Sequence, residues 1–329
     1  MVYQPAKKIT TSILFITGLL ALLISSACDD TDRLVKAGWN KPTHINPIYV
    51  MTSDLNERSL QVVKDGVIKA QEYLGNYGPL KVFIIGTDLE AANVVAKEFC
   101  EWTYEGKGRI DECFYEDQGI EIRELAKYKS GSAYAETDGR HLSIPTRAVT
   151  IGNPPYDDPN DIGGYKVAIH EYTHIYQHAH ISDEDDGMPN WLEEGSAELL
   201  AMFLAGKYED YLNDSVKLAR QLRENHPGLT IKDLENERSS EKLQRDCQEC
   251  YWRLQSETGS LATVLLINQT SMDYFFKEYI PSIFYLGKEK AFLNAFGLTI
   301  DEFYIKFEEF LNLSESDQFE MLEPTKLTN

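Results

Sequence analysis

His170-Glu171-Tyr172-Thr173-His174 lies in a run, 165–178, that follows Gly163-Gly164 and contains no glycine or proline. Val167, Ala168, Ile169, Ile175 and Tyr176 give the run an apolar, core-facing surface, so the spacing predicts a helix. Positions four apart on a helix lie one above the other. The imidazoles of His170 and His174 are therefore placed to share one ion, with Glu171 beside them. A zinc-type site that keeps one position open for water needs a third protein ligand. The best source is Asn190-Trp191-Leu192-Glu193-Glu194-Gly195-Ser196-Ala197-Glu198. Asn190 is expected to cap a new helix, with Glu193 reaching back to complete a capping box and Glu194 left to face the metal. Glu198 falls one turn further along the same face, where a carboxylate can accept the outward N–H of a ligating histidine.

In HExxH followed by a WLxEGxAE segment, with 19 residues between His174 and Glu194, the chain resembles the gluzincin zinc metallopeptidases. This is the peptidase MA-like group that includes thermolysin-like and aminopeptidase-like enzymes. The resemblance implies a zincin-like α+β fold and a bound Zn2+ held by His170, His174 and Glu194. It further implies Glu171 as general base and Glu198 as the outer partner of a ligand. It extends more loosely over 251–312 and does not reach the region before residue 140. No exopeptidase signature precedes the HExxH, so terminal trimming is not implied. In relatives a tyrosine some tens of residues after the third ligand often stabilises the oxyanion. Tyr251 stands at a comparable place, and a core aromatic is the competing reading. The apolar-alternating stretch 140–151, read as one or two strands, precedes the zinc helix as the substrate-aligning edge strand does in similar enzymes. A peptide would add to that edge by main-chain hydrogen bonds. Trp191 is expected to pack beneath the ligand helix.

A rival ligand is His180. It lies six residues after His174, where the metzincin branch places its third histidine, and Ser271-Met272-Asp273-Tyr274 is similar to that branch's methionine turn. The metzincin pattern breaks the helix with a glycine three residues after the second histidine, and here that position is Gln177. Glu194, with a whole motif around it, is the preferred third ligand. His178 and His180 are expected to be solvated or loop residues beside the acidic segment 182–186.

The remaining sequence surrounds this site with a mixed first half and a helical second half. Residues 48–51 and 82–85 read as short buried strands. Between them Leu60, Val63, Val67, Ala70 and Leu74 recur at helical spacing, and a second helix is expected over 89–102. From residue 182 onward the pattern is helical, with stops at Gly206, at His226-Pro227-Gly228 and near Pro281. Thr299 with Glu302 reads as a capping box that opens a final helix over 300–313. The expected units are an α/β subdomain over 48–181, ending in the metal-binding helix, and a helical subdomain over 182–325 that carries the third ligand.

The chain opens with Lys7-Lys8, an apolar run over 13–24, and Ser25-Ser26-Ala27-Cys28. Residues 1–27 read as an export signal. The small residues before Cys28 resemble a bacterial lipoprotein signal, with Cys28 as the lipid-bearing first residue of the mature chain and 28–47 as a polar tether. Ser25 departs from the aliphatic usual there, and ordinary cleavage after Ala27 or an uncleaved anchor remain open. The lipoprotein reading places the protein in an exported compartment, periplasmic or cell-surface, on a membrane through its N-terminal lipid. Cys100, Cys113, Cys247 and Cys250 are an even set that suits an oxidising compartment, and pairing within each local couple is the simplest of three connectivities. Without a second CxxC, the Cys247–Cys250 couple reads as a structural bridge.

Composition excludes other classes. Hydrophobic residues make up 43% and aromatic residues 11% of the 329, enough for a buried core and against disorder. The 53 acidic residues against 32 basic give a net charge of −21, a surface that repels nucleic-acid phosphates. The function expected is hydrolysis of peptide bonds in a peptide or protein substrate. The alternative is an exported lipoprotein whose peptidase-like fold serves as a binding or assembly module. Retention of Glu171, a base that a scaffold does not need, favours the enzyme.

Overall fold

Short strands, of which the apolar β-branched and aromatic run over 82–85 is the most buried, form the sheet. The computed structural model describes residues 40–104, 108–128, 134–136, 141–145, 164–181 and 187–322. Strand β1 (Ile48–Met51) leads through helix α1 (Glu57–Leu74) to β2 (Lys81–Ile85). Then come α2 (Leu89–Thr103), α3 (Ile110–Glu116), α4 (Gln118–Tyr128), β3 (Tyr134–Glu136) and β4 (His141–Pro145). The sheet order is β1-β2-β4-β3, parallel except for β3, which runs antiparallel to β4. Helix α5 (Gly164–Ala179) follows, and from there the chain is helical: α6 (Asn190–Leu204), α7 (Tyr208–Asn225), a 3-10 turn at Ile231–Leu234, α8 (Glu237–Asp246) and α9 (Gln248–Gln269). The series ends with α10 (Met272–Tyr274), α11 (Ile280–Leu286), α12 (Lys288–Phe296), α13 (Ile300–Leu311) and α14 (Glu315–Leu322). The class is α+β, with the strands confined to the first half.

Strand β2 shows why its run is continuously apolar. Val82, Phe83, Ile84 and Ile85 are all fully buried, because alternate side chains enter two different cores. Val82 and Ile84 join the main core with α1 and α5, while Phe83 and Ile85 join a smaller one with α2, α3 and α4. Asn56 caps α1 by accepting from the Arg58 and Ser59 amides, and Asp88 caps α2 by accepting from those of Glu90 and Ala91. Val63, Val67, Ala70 and Leu74 form the buried stripe of α1. Gly66 on that stripe brings α1 against α5 so closely that a Cβ there would lie 2.3 Å from the Tyr165 carbonyl oxygen. Cys100 is bonded to Cys113 and Cys247 to Cys250. The first bridge fastens α2 to α3, and the second closes the start of α9.

Several expectations are corrected. Of the stretch 140–151 only β4 is described as a strand. It is interior, held between β2 and β3, and the edges of the described sheet are β1 and β3, the second of which no sequence pattern singled out. The polypeptide does not stop near Pro281. Helical structure runs from α10 through a π-helical turn, Phe275–Tyr279, into α11 and ends at Gly287. The widened turn accommodates a residue that has no N–H to donate. The Thr299–Glu302 capping box forms, but α13 ends at Leu311 and α14 follows it. Residues 1–39, including Lys7, the apolar run and Cys28, lie outside the described residues, as do 146–163 and 182–186. No described helix is long and apolar enough to cross a membrane.

The main core is continuous from α1 and the sheet across α5 into the helical half. Two tyrosines hold α5 in place. Tyr172 donates to the Gly75 carbonyl at 2.8 Å and accepts from the Tyr77 amide at 2.7 Å, and Tyr176 donates to the Phe276 carbonyl. Trp191 is fully buried at the base of α6, stacked on Phe303 and donating to the Tyr304 hydroxyl at 3.2 Å.

Candidate metal centre

Helices α5 and α6 cross with His170 and His174 facing Glu194, and ligand atoms of the three lie within 4.8 Å of one another. Glu194 Oε2 is 3.4 Å from His170 Nε2, and Glu194 Oε1 is 3.7 Å from His174 Nε2. The close approach of α6 to its other neighbour fixes this placement. A Cβ on Gly195 would fall 2.1 Å from the Gly259 carbonyl carbon, and one on Gly259 would fall 2.0 Å from the Trp191 oxygen. The glycine beside Glu194 therefore lets α6 and α9 meet backbone to backbone. Ser260 Oγ seals the contact by donating to the Gly195 carbonyl at 2.9 Å.

The outer hydrogen bonds assign the histidine tautomers. His170 Nδ1 is 3.0 Å from Glu198 Oε2, a carboxylate oxygen that accepts, so Nδ1 carries the hydrogen. Glu198 Oε1 accepts from Lys166 Nζ at 2.5 Å. His174 Nδ1 is 2.7 Å from Gln177 Oε1, again as donor. Both Nε2 atoms are left with lone pairs, and they face each other at 3.0 Å. Two acceptors at that separation repel, and a cation shared between them removes the repulsion. With a carboxylate opposite, this group could hold a metal ion. The pocket is open on one side, since the Glu194 side chain is 28% exposed while that of His174 is 8% exposed.

Electrostatics agree with this geometry. Burial works against charge on both imidazoles, but the Glu194 carboxylate, with Glu198 for His170, more than reverses it and raises both. Burial also works against charge on Glu194, and the two imidazoles hold it well below the usual carboxylate range. Glu198 is likewise lowered to about 2 by Lys166 and His170 against the effect of burial. Glu171 stands apart. Burial raises its carboxyl, and its Oε2 atom is buried without a hydrogen-bond partner among the described residues. A polar atom left so beside the cluster has its use in something that enters the site.

Other expected residues fall elsewhere. No side chain caps α6: its N-cap is Pro189, and Asn190 is already helical. Glu193 is thus free to accept from His178 Nε2 at 2.9 Å. His178 is helical and half-buried, not a loop residue. His180 is buried rather than solvated, 3.1 Å from the Tyr77 hydroxyl and packed edge-on to Tyr77 and Tyr176, and it is not part of the His170–His174–Glu194 group. Tyr251 is buried in α9, its hydroxyl accepting from Gln255 Nε2 at 2.7 Å and Asn190 Nδ2 at 3.4 Å. It makes no hydrogen bond to His170, Glu171, His174 or Glu194. Sequence reasoning missed Lys166 and Gln177. The signal was present, since they stand four residues before His170 and three after His174, on the ligands' own helix face. No family model matches the chain, and neither a curated protein nor a solved structure matches it.

Proposed function

We propose that this chain is a zinc-dependent peptide-bond hydrolase with a zincin-like fold of the gluzincin type. The observation that carries the reading is the convergence of two acceptor Nε2 atoms and the Glu194 carboxylate beside the unpartnered Glu171 Oε2. His170, His174 and Glu194 would hold the ion. Zinc in such a site supplies a Lewis acid that activates water and polarises a carbonyl. Glu171 Oε2 takes the proton of the attacking water and returns it to the departing amine nitrogen. Burial, which raises its carboxyl above the ordinary value, brings this group closer to the pH at which such transfers are efficient. Glu198 and Gln177 keep the two imidazoles turned so that Nε2 faces the site. The outer side of β3, which pairs with no strand among the described residues, gives an extended peptide a strand to pair with.

The test combines elemental analysis with turnover. Purified protein should carry one zinc per chain, lost in His174→Ala and Glu194→Ala. Glu171→Gln should keep the metal and the fold while kcat on a peptide found in an unbiased library falls by about 10² to 10⁴. Equal turnover in Glu171→Gln at matched zinc occupancy would refute the assigned base. Absence of cleavage by zinc-loaded wild type across a broad library would instead favour the binding or assembly module. We further propose that Cys28 bears lipid and holds the exported protein on a membrane. Cys28→Ala should then abolish palmitate labelling, and a wild type that takes up no label would refute this.

A further inference from the structure

Gln177 is fully buried on α5, one turn beyond His174, and its amide bonds in two directions. Its Nε2 donates to the Glu193 carbonyl and to Ser196 Oγ, each at 2.9 Å, and both acceptors lie on the helix that carries Glu194. A main-chain carbonyl can only accept, so the amide cannot be flipped, and Oε1 is fixed toward His174 Nδ1 at 2.7 Å. The amide thus spans α5 and α6 and ties the orientation of one ligand to the helix that supplies another. The partner of His170 is built differently. Glu198 is charged, but Lys166 at 2.5 Å neutralises it, so a carboxylate–lysine pair stands behind one histidine and a neutral amide behind the other.

We propose that Gln177 is a positioning residue of the metal centre: it holds His174 in the Nδ1–H form with Nε2 aimed at the ion, and it couples that ring to α6. The inference rests on the zinc reading above. Neither outer partner adds net charge beside the ligands.

The experiment measures zinc affinity by competition with a calibrated chelator, in the full chain, for wild type, Gln177→Met and Gln177→Glu. The methionine fills the space but leaves the buried His174 N–H without an acceptor, and affinity should fall 10- to 100-fold, as the loss of an outer partner does. The glutamate keeps an acceptor for His174 Nδ1 but sets its other oxygen against the Glu193 carbonyl, so affinity should recover in part, to between the methionine variant and wild type. Histidine-selective 1H–15N spectra of the zinc-loaded protein give a second readout. The protected His174 Nδ1–H signal should be present in wild type and Gln177→Glu and lost or shifted in Gln177→Met. If Gln177→Met does not fold, Gln177→Asn, one methylene too short to reach, takes its place with the same expected loss. Unchanged affinity in a folded Met or Asn variant, or equal loss in the Met and Glu variants, overturns the proposal. Wild type that binds no zinc, or His174→Ala that keeps it, sinks the proposed function instead, and the two failures are told apart in one titration series.

Discussion

Replacing Gly195 by alanine tests how far the site depends on the contact between α6 and α9. The added Cβ would sit 2.1 Å from the Gly259 carbonyl carbon and 2.5 Å from both Gly259 Cα and Ser260 N. All three are backbone atoms, so no side chain can rotate away, and the helices must part by more than 1 Å to reach an ordinary contact of 3.4 Å. Forced overpacking of this kind costs about 1–3 kcal/mol. Parting the helices also stretches the Ser260 to Gly195 hydrogen bond, worth about 1 kcal/mol. The expected loss is about 2–4 kcal/mol, or roughly 3–6 °C in Tm for a chain of this size. Thermal unfolding of metal-free protein, followed by circular dichroism, measures it without contributions from bound zinc. Because Glu194 precedes the substituted residue, zinc affinity should fall as well. Gly259→Ala strains the same contact through the Trp191 oxygen, so the double variant should cost less than the two single ones together. A Gly195→Ala protein that melts within 1 °C of wild type with unchanged zinc affinity would refute the reasoning.

Lys166→Met should leave the poorly exposed Glu198 carboxylate half-paired. The expected cost is about 1–3 kcal/mol in denaturant unfolding, reduced from the fully buried case because both side chains keep some exposure, with the zinc stoichiometry retained. Zinc affinity should rise with pH. The carboxylates raise the proton affinity of His170 and His174, and zinc must displace a proton wherever the pair still holds one, so acid weakens binding. Competition titrations from mildly acid to mildly alkaline buffer check this, together with proton release into an indicator dye on zinc addition, and affinity independent of pH would contradict it. Removing the Cys100–Cys113 bridge as a Ser pair should cost about 3 kcal/mol, more than the roughly 2 kcal/mol for Cys247–Cys250, because it closes the longer loop. Denaturant midpoints of the two double-serine variants decide the order.

What the sequence determined is the chemistry carried by local periodicity. His170 and His174 four residues apart, and Glu194 and Glu198 four apart, can be assigned to shared helix faces before any packing is known, because the helical repeat alone sets those relations. The buried stripe of α1, the strands β1 and β2, and the Thr299–Glu302 cap were legible for the same reason: each depends on residues within one or two turns of one another. Tertiary structure decided whatever depends on a second element. Asn190 looked like a cap, but the helix begins at Pro189 and Glu193 is drawn to His178 instead. His180 lies in the turn just past α5, but instead of being solvated it is enclosed by Tyr77 and Tyr176, whose approach no local pattern encodes. The edge next to β4 fell to β3 rather than to the more strand-like stretch after it, since strand order depends on pairing between segments distant in the chain. The spacing of Gln177 from His174 was legible, but its bonds to α6, like the role of Gly195, could be seen only in three dimensions. An amide has no function in isolation, and a glycine shows the need for close approach only once another backbone is found 2.1 Å from where its side chain would begin.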